Sequence, residues 1–275
     1  MDRDKFVQNN MQAKYDYLIQ KGHDVAAIFV QGSQNYELDT YTEEYTSDVD
    51  CKAWVIPSLE NLILGHKPIS TTIVMENNEH IDVKDIRLVV PLLMASNPTY
   101  VELVNSKFHI VTEEFMFFVK NRHKVSMMNR GNLINAILGT FYNKKKDLRH
   151  KFPTRIDLID KHGYDPKQFH HMFRLLVLAE RLYVYRVNYG KAMVVKGKTK
   201  KHLLALKFGD IPNDEVDILV KSWEDRMVAI RDMVAKQNYV PNVKLKKQLD
   251  EIVNNVLLEK VYQSSKEVLI KRGDL

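Results

Sequence analysis

SDVDCKAWVIP, residues 47–57, alternates without a break. Val49, Cys51, Ala53 and Val55 fall on one face, and Asp48, Asp50, Lys52 and Trp54 fall on the other. A period of two is the geometry of a β-strand. Residues two apart on a strand project from the same side, so this reading sets two carboxylates together. Upstream, VAAIFVQ (25–31) is a short apolar run rich in strand formers, and it stops at Gly32-Ser33. Downstream, STTIVME (70–76) and EHIDVKD (79–85) read as two more strands, joined by a hairpin turn at Asn77-Asn78.

The strands lie between helical patterns. Residues 5–21 form an amphipathic helix closed by Gly22. From about residue 86 the period changes from 2 to 3.6. IRLVVPLLMA starts the helical part, with Pro91 kinking that helix or delaying its start. FMFFVKNR, GNLINAILGTFYNKKKDL, PKQFHHMFRLLVLAERLYVYR, DEVDILVKSWEDRMVAIRDMVAKQ and LKKQLDEIVNNVLLEKVYQSSKEVL all continue it. The expected class is therefore α+β: a mixed sheet with flanking helices over residues 1–110, then a mainly helical domain over 111–275.

Composition narrows the setting. The 275 residues are 45% hydrophobic and 28% charged, which is ordinary for a globular chain. No apolar run approaches the ~20 residues that span a bilayer, so no membrane partner is expected. MDRDKFVQNN lacks the apolar stretch of a secretory signal. One cysteine, Cys51, excludes an internal disulfide and a multi-cysteine zinc site, which points to the reducing cytoplasm. Lys and Arg number 41 against 35 acidic residues, a formal charge of +6. The excess clusters at Lys144-Lys145-Lys146 with Arg149 and Lys151, at 196–201 and at 244–247. Such clusters suit nucleic acid or a nucleoside triphosphate, and they equally suit solvated helix faces.

The chemistry is concentrated in the acidic residues. Asp48 and Asp50 repel each other unless a cation lies between them, and hard divalent ions such as Mg²⁺ take oxygen ligands. Asp82 stands in IDVKD, where Ile81 and Val83 face the other way. With that strand beside 48–56, Asp82 completes a three-carboxylate set able to hold two metals for in-line phosphoryl transfer. Asp85 reads as the cap of the following helix. Gly32 and Ser33 directly follow a buried-type strand, where backbone N–H groups and a hydroxyl can hold phosphate oxygens. Taken singly, Asp-x-Asp also suits a solvated strand face and Gly-Ser a plain turn; their order along the chain is the stronger signal.

That order resembles the signature of the DNA polymerase β-like nucleotidyltransferases. More specifically, the chain is similar to the bacterial and bacteriophage family described as predicted nucleotidyltransferases. That family has a Gly-Ser-x-x-Tyr-x-Leu loop followed by Ser-Asp-x-Asp, here Gly32, Ser33, Tyr36 and Leu38 with Ser47 to Asp50. NPTYVELV (97–104), YDPKQFHHMFRLL (164–176) and LLALKFGDIPNDEV (203–216) match later stretches in the same order. The spacer from Ser33 to Asp48 is longer than the family's. Glu37 replaces a small residue and Ala53 a glycine.

The resemblance implies a nucleotidyltransferase-type fold that moves an NMP from an NTP such as ATP to an acceptor hydroxyl. Asp48, Asp50 and Asp82 would bind Mg²⁺ or Mn²⁺, and Gly32 and Ser33 would hold the triphosphate. Lys167, His171 and Arg174 share one face of a helix over 164–186 that faces Asp48 and Asp50 across a cleft; they could meet phosphate, or lie on a surface face while Phe169, Met172, Phe173 and Leu176 pack. His170 points elsewhere and reads as structural. RNA, a protein hydroxyl and a small molecule all stand as acceptors. The competing readings are a nucleotide- or nucleic-acid-binding protein without turnover, and a toxin–antitoxin or phage-defence component that modifies a partner.

Overall fold

A computed structural model describes residues 2–43 and 45–272. Five strands form one mixed sheet: β1 (Asp24–Val30), β2 (Cys51–Ile56), β3 (Ser70–Val74), β4 (His80–Asp85) and β5 (His109–Val111), in the order β3-β4-β2-β1-β5. β2 runs parallel to β4 and antiparallel to β1, and the other pairs are antiparallel. The helices in chain order are α1 (Arg3–Gln20), α2 (Ser33–Tyr36), α3 (Leu59–Ile63), α4 (Val89–Met94), α5 (Pro98–Leu103), α6 (Met116–Lys120) and α7 (Arg122–Ser126). They continue with α8 (Arg130–Asp147), α9 (Ile156–His162), α10 (Pro166–Ala179), α11 (Tyr189–Met193), α12 (Gly197–Phe208), α13 (Asn213–Ala235) and α14 (Val243–Arg272).

The chain divides into two compact units. A sheet unit takes residues 1–35, 41–128 and 242–275, and a helical unit takes 36–40 and 129–241. The division is discontinuous, unlike a single cut near residue 110. The last helix has the period of any amphipathic helix, and that period does not say which core it joins. Leu245, Leu249 and Val253 of α14 are buried, and Lys260 pairs with Asp24 of β1 at 2.8 Å.

Within the sheet unit, both faces of the central strands are covered. On one side Val7, Met11 and Leu18 of α1 pack with Ile28, Val30, Cys51, Ala53, Val55, Ile81 and Val83. On the other, Trp54 meets Phe29 at 4.8 Å between ring centroids and Phe118 at 5.6 Å. This double cover is why β1 reads as a nearly continuous apolar run. The hairpin turns where expected, with Asn78 in the left-handed region at φ 62. Pro91 falls within the first turn of α4, where no backbone donor is needed, and a 3₁₀ turn over Ile86–Leu88 precedes it. Asp85 caps that turn, accepting from the Arg87 N–H at 2.9 Å.

In the helical unit, Asp165 caps α10 by accepting from the Lys167 and Gln168 N–H groups at 2.8 and 3.3 Å. α10 closes earlier than the long helix its sequence suggested. A π-type turn over Glu180–Val184 follows, in which Glu180 pairs with Arg226 of α13. Phe169 stacks on Trp223 of α13 at 4.7 Å, while Met172 and Leu176 are fully enclosed.

Candidate functional site

The regular ladder of β2 begins at Cys51, so Asp48 and Asp50 stand just before the strand rather than inside it. Their peptide groups are held by other partners. Gln34 Nε2 donates to the Asp48 carbonyl at 2.6 Å, Glu79 Oε1 accepts from the Val49 N–H at 2.8 Å, and the Gln31 N–H donates to the Asp50 carbonyl at 2.9 Å. Two of these donors flank Gly32-Ser33, so the loop after β1 is tied directly to the Asp48–Asp50 segment. Gly32 sits at φ 87, a conformation that favours glycine. The Ser33 hydroxyl makes a 3.4 Å contact with Gln34 Oε1.

Asp48 is exposed. Asp50 is partly exposed and accepts from the His80 N–H at 2.8 Å, with His80 Nδ1 3.4 Å from the same oxygen. Asp82 lies one register step along, because β4 pairs in parallel with β2 and matches Asp82 to Lys52. Ile81 and Val83 turn into the α1 side, which leaves Asp82 on the opposite face as its alternation requires. There it pairs with the buried Lys52 at 3.1 Å and accepts from Thr72 Oγ1 at 2.6 Å, with Gln31 Nε2 at 3.5 Å. Burial opposes ionisation of Asp82. Hydrogen bonds from Thr72, Lys52 and Gln31, together with the Lys52 charge, outweigh it and hold the carboxyl below its ordinary value. Burial pulls the Lys52 ammonium down against the pull of Asp82. The ring of Tyr100 covers Lys52, with Nζ 5.1 Å from its centroid.

In the sheet unit, Gln31 thus ties the Asp50 carbonyl and Asp82, and Gln34 the Asp48 carbonyl, to the two ends of Gly32-Ser33. Asp48 and Asp50 offer oxygen-only ligands of the kind hard divalent cations take. Asp82 is engaged by Lys52, and among the described residues no three His, Cys, Asp or Glu side chains are grouped so as to hold a metal.

In the helical unit, Lys167 is exposed and His171 half-buried. Arg174 is 9% exposed, with its guanidinium 3.9 Å from the ring centroid of Tyr36. Next to Tyr36, Glu37 adopts φ 59, the left-handed region in which a small residue is easier to place. Burial holds His171 well below its ordinary value, reinforced by the charges of Arg174, Lys144 and Lys167, so at neutral pH it is uncharged. Its Nδ1 is enclosed without a hydrogen-bond partner. Lys144 of α8 joins the same charge cluster, its ammonium pulled down by burial while Lys167 and Arg174 add to the effect. His170 is buried, with Nδ1 2.7 Å from the Leu203 carbonyl, as a structural histidine should be.

Several roles at these sites escaped the sequence reading: the pairing of Lys52 with Asp82, the Tyr100 ring over Lys52, the charge of Lys144 on His171, and the pair Lys14–Glu79. Lys14 carried a signal, since it shares the 7, 11, 14, 18 stripe of α1 with three apolar residues. Glu79 carried one too, because it alternates with Ile81 and Val83 toward the apolar face.

Comparison with protein-family models, with curated proteins and with solved structures finds no match to this chain.

Proposed function

We propose that the protein is a metal-dependent nucleotidyltransferase that moves an NMP from an NTP to an acceptor hydroxyl. The observation that carries the reading is the joining of the Gly32-Ser33 loop to the Asp48–Asp50 segment and to Asp82 through Gln31 and Gln34. A phosphate-cradling turn beside acidic side chains is what transfer at an α-phosphate needs. Mg²⁺ or Mn²⁺ held by Asp48 and Asp50, with Asp82 when Lys52 releases it, would neutralise the triphosphate charge. Gly32 and Ser33 would hold the triphosphate oxygens. The acceptor oxygen would bond to the α-phosphorus as the bond to the bridging oxygen breaks. Pyrophosphate leaves, and the hydroxyl proton passes to water. Within the helical unit, Lys167 and Arg174 carry positive charge that suits an anion, whereas the neutral His171 offers only a hydrogen bond.

The pairing of Asp82 with Lys52 favours one second reading, nucleotide binding without turnover. The test incubates the protein with each α-labelled NTP, Mg²⁺ or Mn²⁺ and total RNA, beside Asp48→Ala and Asp50→Ala. Label on RNA or protein that depends on both carboxylates supports transfer. Metal-independent nucleotide binding with no label from any NTP overturns it in favour of the second reading.

A further inference from the structure

We infer that Lys14 and Glu79 form a buried clamp that positions the Asp48–Asp50 segment. The inference rests on the metal-site reading above for its purpose, and on geometry alone for its existence. Glu79 is 7% exposed and Lys14 4% exposed, and the Lys14 ammonium donates to Glu79 Oε2. The other carboxylate oxygen, Oε1, accepts from the Val49 N–H, the amide between the two aspartates. One charged group therefore bridges the α1 helix and the acidic segment.

Buried ion pairs carry a desolvation cost, and an apolar pair of similar volume often serves stability as well or better. Simple packing gives no reason to place Lys14 in a stripe otherwise made of Val7, Met11 and Leu18. The reason lies at Val49. Val49 precedes the β2 ladder, which begins at Cys51, so strand pairing supplies no acceptor for its N–H. Val49 is fully enclosed, and its N–H needs an acceptor brought from elsewhere. Glu79, the residue before β4, supplies it, and a carboxylate is held there at low cost only with a cation such as Lys14 behind it. Burial resists ionisation of Glu79, and hydrogen bonds from Lys14, the Val49 N–H and Asn77 overcome it, so the group stays charged below its ordinary value. With Gln34 on the Asp48 carbonyl, the Val49 peptide is gripped at both its oxygen and its nitrogen. The direction in which Asp48 and Asp50 leave the chain is fixed by that grip. Lys14 and Glu79 are positioning residues, acting through the backbone of Val49.

Two double variants separate positioning from packing. Lys14→Met/Glu79→Gln removes both charges and keeps an oxygen for the Val49 N–H. Lys14→Met/Glu79→Leu removes the charges and the acceptor. Amide hydrogen exchange over residues 47–50 in the full chain should stay protected in the first and rise about tenfold or more in the second, at similar thermal midpoints. Mn²⁺ affinity, read by the EPR signal of the free ion, should follow the same order, with a loss of about tenfold in the Leu variant, as for other outer partners of metal ligands. Equal exchange in the two variants would overturn the clamp. Different exchange, with no Mn²⁺ bound even by the unaltered protein, would leave the clamp standing and overturn the metal reading.

Discussion

His170 offers a test whose size follows from the structure. It is buried on α10 against α12, and burial, reinforced by the charges of Arg174, Lys207 and Lys167, pushes it down to about 4 from an ordinary 6.5. A histidine depressed in this way is neutral in the fold and takes a proton readily only when the chain unfolds. Its stability contribution is therefore complete above pH 6.5 and lost as pH falls from there toward 4. With those two values, the loss is about 2 kcal/mol at pH 5 and about 3 kcal/mol at pH 4. His170→Asn keeps a donor for the Leu203 carbonyl and cannot titrate. Urea unfolding of both proteins at pH 7.5, 6, 5 and 4 isolates the histidine when each also carries His171→Asn, since His171 feels the His170 charge whereas Glu79 and Asp82 titrate alike in each. The difference in stability between the two should shrink by those amounts as pH falls. An unchanged difference from pH 7.5 to 5 would refute a buried neutral His170.

Lys52→Met strands the Asp82 charge in a half-buried position and should destabilise by about 3 kcal/mol, most of it recovered in Lys52→Met/Asp82→Leu; urea unfolding of both variants measures it. Gly32→Ala meets no neighbour closer than 3.9 Å, so its cost is the backbone strain at φ 87 alone, about 1 kcal/mol, and a larger loss in chemical denaturation would show that something else fills that space. Trp54→Ala empties a fully buried position against Phe29 and Phe118 and should cost about 3 to 5 kcal/mol by the same measurement.

The strands were legible because alternation is imposed by the pleat itself. With β4 beside β2, the same rule sets Asp82 on the face of Lys52. The start of the β2 ladder at Cys51 was not legible, since ladder ends depend on partners distant in sequence, here Gln31, Gln34 and Glu79. The face shared by Lys167, His171 and Arg174 was readable from spacing. Its charge was not, because the neutrality of His171 arises from burial and from Lys144 on another helix. Lys52 was seen as a strand residue facing the aspartates; that it would pair with one of them depended on the parallel register.

The return of α14 to the sheet unit has a consequence during synthesis. Residues 129–241 emerge from the ribosome with all the contacts of the helical unit already encoded, apart from the short 36–40 segment made earlier. The strands, by contrast, are complete by residue 111 yet lack the surface supplied by Leu245, Leu249 and Val253. At ordinary translation rates that wait lasts on the order of ten seconds. Nascent chains stalled short of α14 should present the sheet unit unfinished while the later-made helical unit is already folded, so maturation runs opposite to the order of synthesis.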